Sequence, residues 1–180
     1  FRDCGLEKIQ IGSGVELISS GAFNCRSLTE ITVSEENKGY FAENGVLFAR
    51  PTVIYPEDES FQEKDIILHT YPAGKSETTY SIPENVIELE ILAFAKSENL
   101  TEVKMNDELE VIGGGSFLKC SSLLTVTLSE SVKEIGANAF DDCYKLAEVL
   151  LNEGLETIHN RAFENCSQLS EIEIPTTVQH

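Results

Sequence analysis

The chain has 180 residues, 41% of them apolar, and a formal net charge of −18 from 31 acidic and 13 basic side chains. No apolar run approaches the roughly 18 residues that a membrane-crossing helix needs. So acidic a surface repels polyanions, which makes nucleic acid and anionic lipid poor partners; solubility by itself accounts for the charge, and cationic partners or bound cations are the sharper reading.

Phe1, Cys4, Leu6, Ile9 and Ile11 open the chain, followed by Val15 and Ile18, then Ala22-Phe23, Cys25, Leu28, Ile31 and Val33. Pieces of the form I-x-I and I-x-V alternate with the two-residue period of a strand that buries one face. Between residues 34 and 77 this pattern lapses. Gly45-Val46-Leu47-Phe48, Thr52-Val53-Ile54-Tyr55 and Ile66-Ile67-Leu68-His69 are strand-like runs rich in β-branched and aromatic residues. They are predicted to join antiparallel and to project from, or extend, a sheet. Pro56 to Asp65 is acidic and turn-prone, and reads as an exposed loop. Six of the fourteen aromatic residues (Tyr40, Phe41, Phe48, Tyr55, Phe61 and Tyr71) fall in this segment. Most are expected to pack a small core of the segment's own, with Phe61, set between Glu59-Ser60 and Gln62-Glu63, left exposed as an interface anchor.

From residue 78 onward the pattern returns and holds. Phe94, Phe117, Phe140 and Phe163 are spaced 23 residues apart. Cys120, Cys143 and Cys166 follow three of these rings, and Leu100, Leu123, Leu146 and Leu169 follow all four. Next come Val103, Val126, Val149 and Ile172, and two residues later Met105, Leu128, Leu151 and Ile174. A second motif, V-x-x-I, recurs at Val86/Leu89, Leu109/Ile112, Val132/Ile135 and Leu155/Ile158. A full unit reads L-x-x-I-x-L-P/S-x-x-V-x-x-I-G-x-x-A-F-x-x-C-x-x. One such unit cannot bury its own apolar side chains, so stacking several is what produces a core. The small residue before each ring (Ala93, Ser116, Ala139, Ala162) admits it to a crowded interior, and Gly113 and Gly136 suit a tight turn. The expected organisation is a single solenoid: repeats over 1–33, an irregular β insertion over 34–77, and 23-residue repeats over 78–180. Both ends fall in mid-repeat without a polar capping unit, so the chain is read as a piece of a longer one, or as one whose ends another copy covers.

This template resembles the BspA-type leucine-rich repeat found in surface proteins of host-associated bacteria and some parasitic protists. The match spans residues 1–33 and 78–180, with Ser97 in place of the cysteine, Glu90 of the glycine, Ser116 of the alanine and Glu77 of the leucine. Residues Asn37, Tyr40 and Asn44 to Phe48, with Tyr71 to Lys75, resemble an insertion common in that family. The resemblance implies a right-handed, mainly β repeat solenoid. One face would be a parallel sheet, and the other would carry short strands and one-turn helices around A-F-x-x-C. It also implies an extracellular or cell-surface location and attachment to host proteins or cells.

Signals for chemistry are sparse. His69, His159 and His180 show no metal-ligand or catalytic spacing, and His159 reads as an exposed turn residue. Gly113-Gly114-Gly115-Ser116 lacks the G-K-[ST] ending of a phosphate loop. The five cysteines contain no C-x2-C pair. They read as buried free thiols; stacked equivalents could approach closely enough to bridge, but the ladder gives no reason for any particular pairing. Glu57-Asp58-Glu59 could hold calcium, though without an EF-hand loop. Asn99 and Asn165 begin glycosylation sequons. No enzyme activity, metal or cofactor is implied. The working surface is instead expected on the outward row of the I-x-L strands. One column there is Lys8, Glu30, Thr79, Glu102, Thr125, Glu148 and Glu171, and the next is Gln10, Thr32, Ser81, Lys104, Thr127, Leu150 and Glu173. A solvated face accounts for such a row by itself. The sharper reading is a protein ligand with a basic segment lying over Glu148, Glu171 and Glu173, with Leu150 as apolar anchor. The alternative is a spacer that presents another domain and binds nothing.

Overall fold

A computed structural model describes residues 1, 3–58, 60–62 and 64–180. The chain winds as a β-solenoid of short strands: β1 (Lys8–Ile11), β2 (Glu30–Val33), β3 (Tyr40–Glu43), β4 (Val46–Ala49), β5 (Ile66–Thr70), β6 (Thr79–Ser81), β7 (Val86–Leu89), β8 (Glu102–Lys104), β9 (Val111–Ile112), β10 (Thr125–Thr127), β11 (Glu134–Ile135), β12 (Glu148–Leu150) and β13 (Thr157–Ile158). One helical turn, α1 (Pro51–Ile54), is present. The I-x-L strands form two separate parallel sheets, β1-β2 and β6-β8-β10-β12, the latter termed the first sheet; the V-x-x-I strands form a second sheet, β7-β9-β11-β13, extended by β5, β4 and β3. In the first sheet Glu102, Thr125 and Glu148 stand in register with one another, so equivalent residues of successive coils lie side by side.

The phenylalanines form the expected column. Phe94 stacks on Phe117 at 5.0 Å, Phe117 on Phe140 at 5.0 Å and Phe140 on Phe163 at 5.3 Å, with interplanar angles of 11°, 4° and 2°. Tyr71 continues the column at 5.1 Å from Phe94. Each such ring pair adds about 0.5–1.5 kcal/mol beyond its buried area.

The A-F-x-x-C segments are hydrogen-bonded turns and not the one-turn helices that the resemblance implied. Backbone N–H groups alternate in direction there. Those of Leu92, Phe94 and Lys96 donate to Gly114, Ser116 and Leu118 of the next coil, whereas those of Ala93, Ala95 and Ser97 donate three residues back within their own coil. The same alternation recurs in the next two coils. It needs left-handed backbone twice per coil, at Leu92 and Lys96, Gly115 and Lys119, Asn138 and Asp142, and Arg161 and Asn165. The result is a third inter-coil ladder beside the two sheets. At the corner between sheets, buried Asn37, Asn106 and Asn152 each donate their amide to two carbonyls of the preceding coil, those of Gly12 and Val15, Pro83 and Val86, and Ser129 and Val132.

The glycines after the isoleucine serve a purpose different from the one expected. Neither Gly113 nor Gly136 has positive φ. A Cβ on Gly113 would lie 2.4 Å from the carbonyl oxygen of Leu89, and one on Gly136 2.5 Å from the Gly114 nitrogen. Close approach of the neighbouring backbone, and not turn geometry, excludes a side chain.

The segment between the two blocks also departs from expectation. Thr52 to Tyr55 is not a strand; Pro51 starts the helical turn α1, where its missing N–H costs nothing. Tyr40–Glu43 is a strand that the pattern did not mark, closed onto β4 by Asn44 and Gly45, both at positive φ (51° and 79°) as a type I′ turn requires. The aromatics build no core of their own. β4 and β5 are buried along their whole length and wall off two cores. Val46, Phe48, Ile66, Leu68 and Tyr71 face the downstream stack, while Tyr40, Leu47, Ala49 and Ile67 face Ile18, Phe23, Leu28 and Ile31 of the first coils. His69 crosses this wall with Nε2 on the Ile18 carbonyl (3.1 Å) and Nδ1 on the Thr70 hydroxyl (2.8 Å), and burial pushes its pKa down, keeping the ring neutral.

Phe140→Ala removes a fully buried ring from the middle of the column and should cost about 3–5 kcal/mol in urea unfolding. Gly113→Ala should cost about 1–3 kcal/mol, because the clash is with backbone, whereas Gly12→Ala, with open space around it, should fall within about 0.5 kcal/mol of wild type.

Candidate functional site

The outward positions of the first sheet follow strand alternation: Val103, Val126 and Val149 point into the core, and their neighbours on both sides point to solvent. The turn of the β3-β4 hairpin seats on β2, where the Ile31 N–H donates to the Gly45 carbonyl at 3.0 Å. Lys8 and Glu30 therefore belong to a separate piece of sheet from the downstream row. They pair with each other at 2.6 Å, and the Lys8 ammonium holds the Glu30 carboxyl below its ordinary range.

Downstream, one column runs Thr79, Glu102, Thr125, Glu148 and the adjacent one Ser81, Lys104, Thr127, Leu150, as the strand registers fix. The candidate residues fall into two groups separated by the threonines of β10. Glu102 and Lys104 share β8. Glu148 and Leu150 line a shallow groove together with Glu171, Ile172 and Glu173. Residues 171–174 continue the coil's path without being a regular strand, with Ile172 turned inward and both glutamates exposed. Among the described residues no ion pair engages Glu102, Lys104, Glu148, Glu171 or Glu173. Carboxylates one strand apart, at about 4.8 Å, repel by only ~0.8 kcal/mol in water, so the row persists without a counterion. Leu150, 52% exposed, is the apolar centre of the group.

Phe61 lies elsewhere and is not exposed as expected. It is half-buried and stacks on Tyr55 at 5.4 Å and 16°. The Tyr55 hydroxyl donates to the Glu88 carboxylate at 2.8 Å, which places both rings by the second sheet. Lys64 pairs with Glu108 at 3.0 Å beside them. The sequence pattern missed this contact because Tyr55 and Glu88 are 33 residues apart in chain segments of different rhythm; Pro51 was the one local sign that the Tyr55 run was not a strand. Of the Glu57–Glu59 run, Glu59 lies outside the described residues and Asp58 accepts the Ser60 N–H within its own loop. His159 is exposed and meets Glu134 at 3.0 Å. The side chains of Asn99 and Asn165 donate to the Lys75 carbonyl and to Asp141 and Asp142. Among the described residues no group of three or more His, Cys, Asp or Glu side chains could hold a metal ion.

Burial raises the Glu88 carboxyl to about 7, with Glu90 and Glu134 adding to the rise and the Tyr55 hydrogen bond opposing it. Between the unfolded carboxyl value and about 7, the folded chain holds a proton that the unfolded chain lacks. The stabilisation is therefore complete at low pH and lost as pH rises through 7. Glu88→Gln is neutral throughout. Urea unfolding at pH 5 and pH 8 should show the variant gaining on wild type by about 2–3 kcal/mol at the higher pH. An unchanged difference between the two would contradict the shift.

No helix among the described residues is long and apolar enough to cross a membrane. No protein with a curated description matches the chain. Among solved structures, a leucine-rich cell surface protein from Faecalibacterium prausnitzii is 30% identical with a TM-score of 0.86, over 99% of this chain and 44% of that one. A leucine-rich repeat protein from Eubacterium ventriosum is 25% identical with a TM-score of 0.59, over 96% of this chain and 56% of that one. One from Bacteroides ovatus is 27% identical with a TM-score of 0.56, over 67% and 34%. The chain thus spans about half the length, or less, of these similar proteins. The model of the BspA type leucine-rich repeat region matches residues 1–44 and 69–180 in six copies, and with the stacked rings and paired parallel sheets above, this chain belongs to the BspA-type leucine-rich repeat family.

Proposed function

We propose that the chain is a non-catalytic, extracellular protein-binding module, and that the outer face of its first sheet takes an extended basic segment of a protein partner. The observation that carries this reading is the grouping of Glu148, Glu171 and Glu173 around exposed Leu150, where no cation among the described residues lines the groove or pairs with them. Lys8 and Glu30, on the separate β1-β2 sheet, show how such a row looks when it neutralises itself. Glu102 and Lys104 extend the contact across β10. An extended peptide laid over the strands would place lysine or arginine side chains against the carboxylates and one apolar side chain on Leu150. The similar protein from Faecalibacterium prausnitzii is named as a cell surface protein, which supports a surface location as the setting. The stiff ring column favours a second reading, in which the chain holds another domain at a distance and binds nothing itself.

A labelled extended peptide of alternating lysine and leucine separates the two. Its affinity for the chain should fall with salt. Glu148→Lys, Glu171→Lys and Glu173→Lys together should weaken it at least ~10-fold, a loss of about 1.4 kcal/mol. The same charge change placed at exposed Glu7, Glu16 and Glu36 should matter much less. Equal loss from both sets, or none from the first, would favour the spacer.

A further inference from the structure

Five thiols occupy the cysteine position of the repeat, and they are not equivalent. Cys120, Cys143 and Cys166 are buried, and each donates its thiol proton to the phenylalanine carbonyl of the preceding coil, at 3.1, 3.2 and 3.2 Å. Burial raises all three, to about 12 for Cys120 and about 11 for Cys166. Cys25 likewise donates its thiol proton to the Phe1 carbonyl of the preceding coil, but it and Cys4 also lie against each other. Their sulfurs are 2.6 Å apart. That is closer than the roughly 3.5–4.0 Å at which even carbon atoms rest in contact, and within about 0.6 Å of a covalent S–S bond. The cause is local register. Cys25 follows Phe23 by two residues and not three, and its N–H closes a tight turn on the Phe23 carbonyl at 2.7 Å. Cys4 is likewise followed by its leucine one residue early. The shortened turns set one thiol over the other, which the uniform spacing downstream does not do.

We infer that Cys4 and Cys25 are a disulfide-forming pair that clips the first coil to the second, closed by exchange with an external disulfide. Cys4 is the half-exposed member, and the hydrogen bond from Cys25 lowers its pKa, whereas burial raises that of Cys25. Cys4 is therefore the attacking thiolate. It displaces one thiolate from an external disulfide and forms a mixed disulfide. Cys25 then gives up its proton to solvent, attacks the Cys4 sulfur and expels the second thiolate. Two protein thiols are oxidised and one external disulfide is reduced to two thiols. A cell-surface setting supplies the oxidising conditions under which such a clip persists.

Native chain incubated with oxidised glutathione and mapped by mass spectrometry tests it. The expected product is a Cys4–Cys25 linked peptide, about 2 Da lighter than the reduced pair, with Cys120, Cys143 and Cys166 alkylated only after denaturation. Cys25→Ser should trap glutathione on Cys4 as a stable adduct, and Cys4→Ser should leave buried Cys25 unmodified. Five free thiols after oxidation, a link between any other pair, or no adduct in Cys25→Ser would each overturn the proposal.

Discussion

The spacing between coils is the constraint on which everything else here rests. Three backbone ladders set it: the I-x-L sheet, the V-x-x-I sheet and the alternating turn around the phenylalanine. With the coils held near the strand spacing of about 4.8 Å, each side chain meets the same position of the coils above and below. Flat rings then stack at 5.0 Å, buried asparagines reach back to two carbonyls at the corner, and Gly113 and Gly136 stand where a neighbouring backbone leaves no room for a side chain. No single coil has an interior. The interior exists only between coils.

The break in this rhythm is equally physical. β3, β4 and β5 are antiparallel neighbours grafted onto a parallel sheet, and their side chains alternate between two cores rather than between core and solvent. Ser20 and Glu90, 70 residues apart, bond across the junction at 3.0 Å. The buried Glu90 stands at the position of Gly113 and Gly136 in the next two coils, and its carboxylate is satisfied by that serine and by the Ile91 N–H. The first two coils and the downstream stack thus share one wall.

Legibility followed periodicity. A spacing of 23 residues was enough to place every downstream strand and the ring column, because identical surroundings make identical demands on a residue. The outward row was legible for the same reason, since alternation decides which side chains face solvent. Its interruption after β2 was not, because the Asn44-Gly45 turn that causes it comes from outside the repeat. Tyr40–Glu43 carried a readable sign in that same Asn-Gly pair. Phe61 looked exposed from its polar neighbours, yet Tyr55 covers one side of it, a contact no local pattern encodes. The asparagine corners were hidden because the position alternates between Asn and Ser or Pro, a substitution set that reads as an ordinary turn.

The left-handed residues of the third ladder have a consequence for how the molecule assembles. Leu92, Lys96, Lys119, Asn138 and Asp142 adopt a conformation that costs a non-glycine residue of order 1 kcal/mol. In each of these five the N–H is the group handed to the following coil. The expense is local to one coil, and its compensation belongs to the next. A coil formed in isolation carries the strain and none of the relief, so ordering must begin with several neighbours at once and spread outward from them, like a zip that catches only after its first few teeth are engaged.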